Sequence, residues 1–323
     1  MHPWNEPILQ SLAGRAGRLP HALLIHGMQG VGKLALAERF APLMLCEAES
    51  GAKPCGRCDG CRWFLAGNHP DFLRLEPEAL AKLPEPNEDE PAPAKKAAKP
   101  STEIKVDQIR AVADFLGLRS SRGRMRLALV HPAEDMNLSA ANALLKGLEE
   151  PPAGAMFLLV SHRPSQLPPT IRSRCVAVPV PVPSHKVALD WLSGQRIKGA
   201  ERWLAYAGGA PVRALHYAAA ADSLEALLRN PRPVDTREAA EELAEALQKI
   251  ALDRAFAAFG LPPKYQTAAG KVSPASAKAW LAYARRMGED RLLASHPLNP
   301  KLYSTDLLVR LPKPEGRFSS RWF

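Results

Sequence analysis

One segment restricts the possible folds of this chain more than any other, a glycine-rich loop between an apolar strand and a helix. Residues 22–25 read Ala-Leu-Leu-Ile, and residues 27–33 read Gly-Met-Gln-Gly-Val-Gly-Lys before a helical run. In this setting G-x-x-x-x-G-K predicts a phosphate-binding loop, because glycines let backbone N–H groups face a phosphate and the helix N-terminus favours negative charge. The predicted nucleotide-binding residues are Gly27, Gly30, Gly32 and Lys33. A glycine-rich turn without a ligand is the alternative.

The loop lacks groups that a nucleoside triphosphatase needs. The residue after the lysine should carry a hydroxyl that ligates magnesium, but Leu34 stands there. The next buried strand should end in an acidic pair, but His131 and Pro132 follow it, and Glu134 and Asp135 come later. We therefore predict no magnesium site and no intrinsic ATPase activity. Binding of ATP without hydrolysis stays open.

Four of the five cysteines lie close together, with the spacing C-x8-C-x2-C-x2-C. In a cytosolic chain, such clustering favours a metal over disulfides. Four thiolates without an exchangeable ligand are typical of a structural zinc site, and an iron–sulfur cluster or four reduced cysteines are the alternatives. The predicted zinc ligands are Cys46, Cys55, Cys58 and Cys61. The isolated Cys175 is predicted to be a small buried apolar side chain.

The composition argues against a membrane-spanning protein and favours a polyanionic partner. No uninterrupted apolar run approaches the roughly 18 residues of a membrane helix. Residues 1–6 lack the basic and apolar regions of a signal peptide, so a cytoplasmic protein is expected. The net charge of +10 raises the chance of a polyanionic partner without identifying it.

The apolar segments predict an α/β first half and a helical second half. Short apolar strands that alternate with helices are typical of a parallel sheet covered by helices. Residues from about 77 to 100 are rich in Pro, Ala, Glu and Lys, so we predict a disordered insertion there. The predicted domains are residues 1–182, 183–229 and 230–323. The predicted strands are Ala22–Ile25, Phe72–Leu75, Leu127–Val130, Phe157–Val160 and Cys175–Val178.

Arg174 ends a short turn, residues 167–174, that leads into the last predicted strand. From there a guanidinium can project across a subunit boundary, and its planar, permanently charged fork suits a phosphoryl oxygen. A surface or salt-bridging arginine is the alternative.

Together these segments resemble the AAA+ clamp-loader family of bacterial DNA polymerase III. Besides the loop and the cysteines, the residues that carry the resemblance are 19–24, 67–71, 142–152, 173–175, 298–302 and 305–308. The block 142–152, which reads Asn-Ala-Leu-Leu-Lys-Gly-Leu-Glu-Glu-Pro-Pro, and the triplet Ser-Arg-Cys are specific to clamp loaders among P-loop proteins. The resemblance is strong over residues 1–182 and weaker beyond.

The resemblance implies an α/β P-loop AAA+ domain with a zinc knuckle at residues 46–61, a small helical lid and an all-α collar. The implied partners are the gamma/tau and delta subunits of a hetero-pentamer, the sliding clamp and primed DNA, in a cytoplasmic, nucleoid-associated replisome. Arg174 resembles the arginine finger that reaches ATP on an adjacent subunit. Arg213 resembles the lid arginine that senses nucleotide. The family is classed with a nucleotidyltransferase holoenzyme, although we predict no ATPase activity for this chain.

Two other functions remain open. One is an ATP-hydrolysing clamp-loader motor of gamma/tau type that uses Glu134 or Asp135, although Leu34 argues against it. The other is a stand-alone zinc-containing DNA-binding module. Its arginines would be Arg119, Arg122, Arg124 and Arg126, which have no interleaved aromatic residues for base stacking.

Overall fold

The computed structural model describes residues 1–49, 51–81, 100–121, 125–267, 272–293 and 298–312. The chain divides into two compact units, Met1–Val182 and Pro183–Phe323. The three-domain division at residues 182 and 229 stays a prediction.

Most of the insertion predicted at about 77–100 lies outside the described residues, namely its positions 82–99. The two ends of this segment are bonded to each other. Ala79 N donates to Ser101 O at 3.0 Å, and Lys105 Nζ lies 3.2 Å from Glu78 Oε1. Residues 78–79 and 101–105, on either side of the positions that are not described, therefore lie together.

Among the described residues, a five-stranded parallel sheet forms the centre of the first unit. Its strands are β1 (Ala22–His26), β2 (Phe72–Leu75), β3 (Arg126–Val130), β4 (Ala155–Ser161) and β5 (Val176–Pro179). Their order is β2-β3-β4-β1-β5, and every neighbouring pair is parallel. β3 and β4 are buried along their whole length, because the faces of such a sheet are covered by helices.

Helices complete the first unit. They are α1 (Glu6–Ala13), α2 (Lys33–Leu45), α3 (Asp59–Leu65), α4 (Val106–Gly117), α5 (Leu138–Glu149) and α6 (Pro169–Arg172). The apolar residues of α4 recur at helical spacing, and Ile109, Val112 and Leu116 are all buried in the core. α5 begins where the side chain of Asn137 accepts a 2.9 Å hydrogen bond from Ala140 N, a capping contact that ends the preceding loop.

The predicted fold class is confirmed, an α/β P-loop domain followed by a largely helical region. The strands begin and end within two residues of the prediction. β4 extends beyond the predicted Phe157–Val160 at both ends, and β5 begins at Val176 rather than at Cys175. These are the edges of apolar runs, where sequence patterns are least precise.

Helices also form the second unit. They are α7 (His185–Gly194), α8 (Ala200–Tyr206), α9 (Pro211–Ala219), α10 (Ala221–Arg229), α11 (Arg237–Ala258), α12 (Ala277–Leu293) and α13 (Pro300–Val309). The side chain of Thr236 accepts a hydrogen bond from Ala239 N and caps the start of α11. α11 and α12 pack along buried side chains that include Leu247, Trp280 and Met287. No helix in the described part of the chain combines the length and apolar character needed to span a membrane.

Candidate functional site

The predicted phosphate-binding loop connects β1 to the N-terminus of α2. Its three glycines all have positive φ angles, 152° at Gly27, 86° at Gly30 and 81° at Gly32. A side chain at Gly27 would overlap the carbonyl oxygen of Val180, the residue that follows β5. The loop therefore has the strand–turn–helix setting of a phosphate site and needs glycine to form it.

Lys33 is bonded to its own loop. Its ammonium group donates to the carbonyl oxygens of Gly27 at 2.7 Å and Met28 at 2.6 Å, and the residue is only 2% exposed. Burial lowers the pKa of Lys33 to about 8, against the opposing charge of Glu134. Two of the three N–H donors of this ammonium group are therefore used within the loop.

The N-terminal segment also contacts the loop, and sequence reasoning missed this. Trp4 Nε1 donates to Val31 O at 2.9 Å, and Asn5 Nδ2 donates to the carbonyls of Val31 and Gly32, both at 3.1 Å. The ring of His2, stacked on Trp4 at 4.8 Å between centroids, fills the space beside Gly32. These contacts fix the second half of the loop from one side.

The end of β3 carries no acidic pair, as the sequence indicated. His131 Nε2 lies 3.3 Å from His162 Nε2. Burial, with the charges of His162 and Arg74, lowers the pKa of His131 to about 4. His131 is therefore neutral at physiological pH and offers no carboxylate to a magnesium ion.

Glu134, the acid considered for an ATPase, faces the backbone after β4. Its Oε1 accepts hydrogen bonds from His162 N at 2.9 Å and Arg163 N at 3.1 Å, and its side chain is 1% exposed. Asp135 lies 3.9 Å from the guanidinium of Arg163. Glu134 thus fixes a turn, which disfavours its use as a catalytic base.

The four clustered cysteines come together as predicted. Their sulfur atoms all lie within 4.8 Å of one another, and a tetrahedral zinc ion with bonds of about 2.3 Å requires sulfur–sulfur distances of roughly 3.8 Å. Cys46 ends α2, and Cys61 lies in the first turn of α3. The cluster is therefore able to hold a metal ion with small adjustments.

Backbone hydrogen bonds to the sulfurs favour a metal-binding arrangement. Cys58 Sγ accepts from Glu47 N and Cys61 N, both at 3.4 Å. Backbone hydrogen bonds, with those to Arg57 and Cys58 the strongest, lower the pKa of Cys55 to about 6. Burial raises the pKa of Cys61 to about 12, an effect that a coordinated divalent cation overrides because it deprotonates a bound thiol.

Cys175 does not belong to this cluster. It is half-buried and packs against the core of the first unit, and burial raises the pKa of its thiol to about 11. It is therefore an unreactive, partly apolar side chain.

Arg174 lies between α6 and β5. Its Nη1 donates to Thr170 O at 3.0 Å, and its Nη2 lies 2.6 Å from Glu149 Oε1, at the end of α5. The side chain keeps 34% of its surface exposed. The guanidinium is thus anchored but open to a partner.

Arg213 belongs to the second unit and takes part in a buried charge network. Its Nη2 lies 2.5 Å from Glu245 Oε2 on α11. Glu245 also accepts a 2.6 Å hydrogen bond from Tyr217 Oη and pairs with Lys249 at 2.7 Å. Arg291 approaches the same carboxylate at 3.5 Å. Nucleotide sensing by Arg213 stays a prediction, and it would require this network to open.

Replacing Glu245 by glutamine is expected to destabilise the second unit by about 3 kcal/mol, because it leaves buried cations without their counter-ion. Burial alone would raise the pKa of Glu245, but Lys249, Arg213 and Arg291 lower it to about 2. This carboxylate therefore stabilises the fold above its ordinary pKa of 4.5 and loses the effect as the pH falls toward 2.

Urea denaturation between pH 3 and pH 7 measures this contribution. The difference between wild type and variant should shrink at the acidic end. Replacing the exposed Glu238 at the start of α11 by glutamine is the control. A pH-independent difference would contradict the assignment.

Of the four arginines of the DNA-binding alternative, the structure describes two, Arg119, which is exposed, and Arg126, which is buried. Arg126 is 8% exposed. Its guanidinium donates to Phe115 O at 2.9 Å and lies 3.3 Å from Asp71 Oδ1. Arg122 and Arg124 lie outside the described residues. Arg126 is therefore a core residue, which removes it from any DNA-binding surface.

A phosphate-binding loop after β1, in a parallel sheet of order β2-β3-β4-β1-β5, defines a P-loop protein of the AAA+ class. A family profile described as "DNA polymerase III, delta subunit" matches residues 6–183. The chain belongs to this family.

Relatives from several bacteria agree with this assignment. The DNA polymerase III delta-prime subunit of Pseudomonas aeruginosa is 40% identical over 218 residues, which cover 66% of this chain and 60% of the relative. The delta-prime subunit of Escherichia coli is 36% identical over 59% of this chain and 52% of the relative. The tau subunit of Escherichia coli is 33% identical over 58% of this chain and 25% of the relative. The chain thus spans between about half and three fifths of the delta-prime relatives.

Among solved structures, a DNA polymerase III gamma subunit-related protein of Thermotoga maritima aligns with 93% of this chain and 97% of its own. The identity is 20% and the TM-score is 0.42.

Proposed function

We propose that this chain is a non-hydrolysing subunit of a clamp loader and that it supplies Arg174 to the ATP site of a neighbouring subunit. The observation that carries the proposal is the state of its own phosphate loop. Leu34 replaces the hydroxyl that binds magnesium, Lys33 is bonded to loop carbonyls, and a neutral histidine ends β3. A P-loop protein that lacks the magnesium-binding hydroxyl and the acidic pair has no ligands of its own for the metal ion and no acid positioned to activate water.

The implied role is assembly-dependent catalysis. Arg174 sits beside a strand of a rigid sheet, anchored to a backbone carbonyl, with part of its guanidinium open to a partner. An arginine supplied in trans makes hydrolysis depend on subunit geometry. The partners proposed are gamma/tau and delta subunits in a hetero-pentamer, with the sliding clamp and primed DNA as its targets. Residues 183–229 and 230–323 would form the lid and the collar.

We further propose that Cys46, Cys55, Cys58 and Cys61 hold one structural zinc ion. Their sulfur geometry and the backbone N–H···S hydrogen bonds support a four-thiolate site. When bound, zinc supplies a covalent-like cross-link between the end of α2 and the start of α3. The cysteines leave no ligand position for water, so the site has no catalytic role.

The purified chain is expected to hydrolyse ATP no faster than background, and Lys33→Ala is expected to change nothing, because no residue of its loop can bind magnesium. A colorimetric assay of phosphate release by the wild type and this variant measures the rate of hydrolysis. Calorimetry with a non-hydrolysable ATP analogue should give the same result with and without magnesium.

The same preparation, assembled with its partner subunits, should restore ATP turnover in the complex, which shows that the protein is folded. Steady turnover by the chain alone, abolished by Lys33→Ala, would instead establish the motor function and overturn the proposal.

A further inference from the structure

The contacts that Arg174 makes within its own chain determine how its guanidinium becomes free to bind a partner. Among the residues that the structure describes, Arg174 bonds to Thr170, which contributes a neutral carbonyl, and to Glu149, which contributes a carboxylate. The carbonyl belongs to the same turn as Arg174, so it orients the side chain without changing its charge. The carboxylate comes from another helix and neutralises the guanidinium.

The position of Glu149 strengthens this neutralisation. Glu149 is the last residue of α5, and the C-terminal end of a helix carries partial negative charge from its unpaired carbonyls. A carboxylate there is unfavourable by itself and gains from a nearby cation. Arg174 faces both the carboxylate and the negative end of the helix, which together oppose the approach of another anion.

We propose that Glu149 is a positioning residue that competes with the phosphoryl group of the neighbour's nucleotide for Arg174. This inference rests on the proposed function of Arg174. While the Glu149 pair is closed, one edge of the guanidinium is occupied and its charge is offset. The pair is weak enough to open, since 34% of the arginine and 48% of the glutamate side chain are exposed and such pairs are screened by water. A nucleotide in the right place therefore displaces Glu149.

The test uses the reconstituted clamp loader with its full chain in place. Glu149→Gln keeps the side-chain shape and removes the charge. We expect DNA-independent ATP turnover to rise about 1.5- to fivefold, the range expected for losing a partly exposed ion pair. The gain should shrink as salt rises, because exposed charges are screened within about 10 Å at 0.1 M salt. A purely structural change would show no such salt dependence.

Glu150→Gln is the matched control. It removes the same charge from the adjacent exposed position, where the carboxylate makes no ion pair with the described residues. We expect it to leave turnover unchanged. The double variant Glu149→Gln/Arg174→Ala should behave as Arg174→Ala alone, because Glu149 acts only through that arginine.

The outcomes distinguish failure of the proposed Glu149 competition from failure of the proposed function of Arg174. If Arg174→Ala lowers turnover but Glu149→Gln leaves it unchanged or also lowers it, the competition is refuted while the proposed function stands. If Glu150→Gln raises turnover equally, the effect is a general charge effect and the competition is also refuted. If Arg174→Ala has no effect, the proposed function itself fails.

Discussion

Replacing Arg174 by alanine is expected to slow ATP hydrolysis by roughly 10³-fold at the neighbouring site that it faces, the lower end of the effect of an arginine finger. The reason is electrostatic, because no other group of this chain is proposed to neutralise charge that develops on the transferred phosphoryl group. The fold should be unaffected, since Arg174 is partly exposed and its ion pair is worth little to stability.

A single-turnover measurement on the reconstituted, DNA-bound loader can detect this loss, because each ATP site contributes its own phase. Arg174→Ala should remove one fast phase and leave the rest. Arg174→Lys should recover little, since lysine lacks the planar fork that binds two phosphoryl oxygens. Arg172→Ala, two positions away and exposed, is the control. Unchanged phases in Arg174→Ala would disprove the finger assignment.

Replacing Cys58 by serine is expected to abolish zinc binding and to lower the free energy of unfolding of the first unit by more than about 4 kcal/mol, as loss of a structural metal does. Cys58 is the central ligand, because its sulfur accepts two backbone hydrogen bonds and it also caps α3. Without it, the cross-link between α2 and α3 is lost.

Elemental analysis of wild type purified under reducing conditions should give about one zinc per chain, and the variant should give none. Thermal unfolding with and without a chelator measures the stability. Cys175→Ser, outside the cluster, should keep its zinc. Iron in place of zinc would support an iron–sulfur cluster instead, and the absence of any metal would contradict the proposed metal site.

Local patterns in the sequence predict the sheet and the cysteine cluster well. β3 and β4 are buried on both faces, so their residues form continuous apolar runs that are easy to recognise. The two C-x2-C steps keep Cys55, Cys58 and Cys61 close together within the chain itself, and Cys46 joins them from the end of α2. The cap at Thr236 is also a local feature, because it depends on only three or four consecutive residues.

The contacts that set the state of the loop were not predictable from the sequence. Trp4 and Asn5 bond to the loop across 27 and 26 residues, and neither carries a spacing that marks this role. Glu134 likewise accepts a hydrogen bond from the backbone of His162, 28 residues away. Such contacts depend on how distant segments pack, and no local pattern encodes them.

The charge network around Glu245 restricts which substitutions the chain can accumulate during evolution. Losing any one member leaves the remaining charges buried without balance, so single replacements are penalised while matched replacements are tolerated. Arg213, Tyr217 and Lys249 meet one carboxylate, and sequence drift at these positions should therefore occur in concert. We therefore expect the residues of this network to covary across related bacteria.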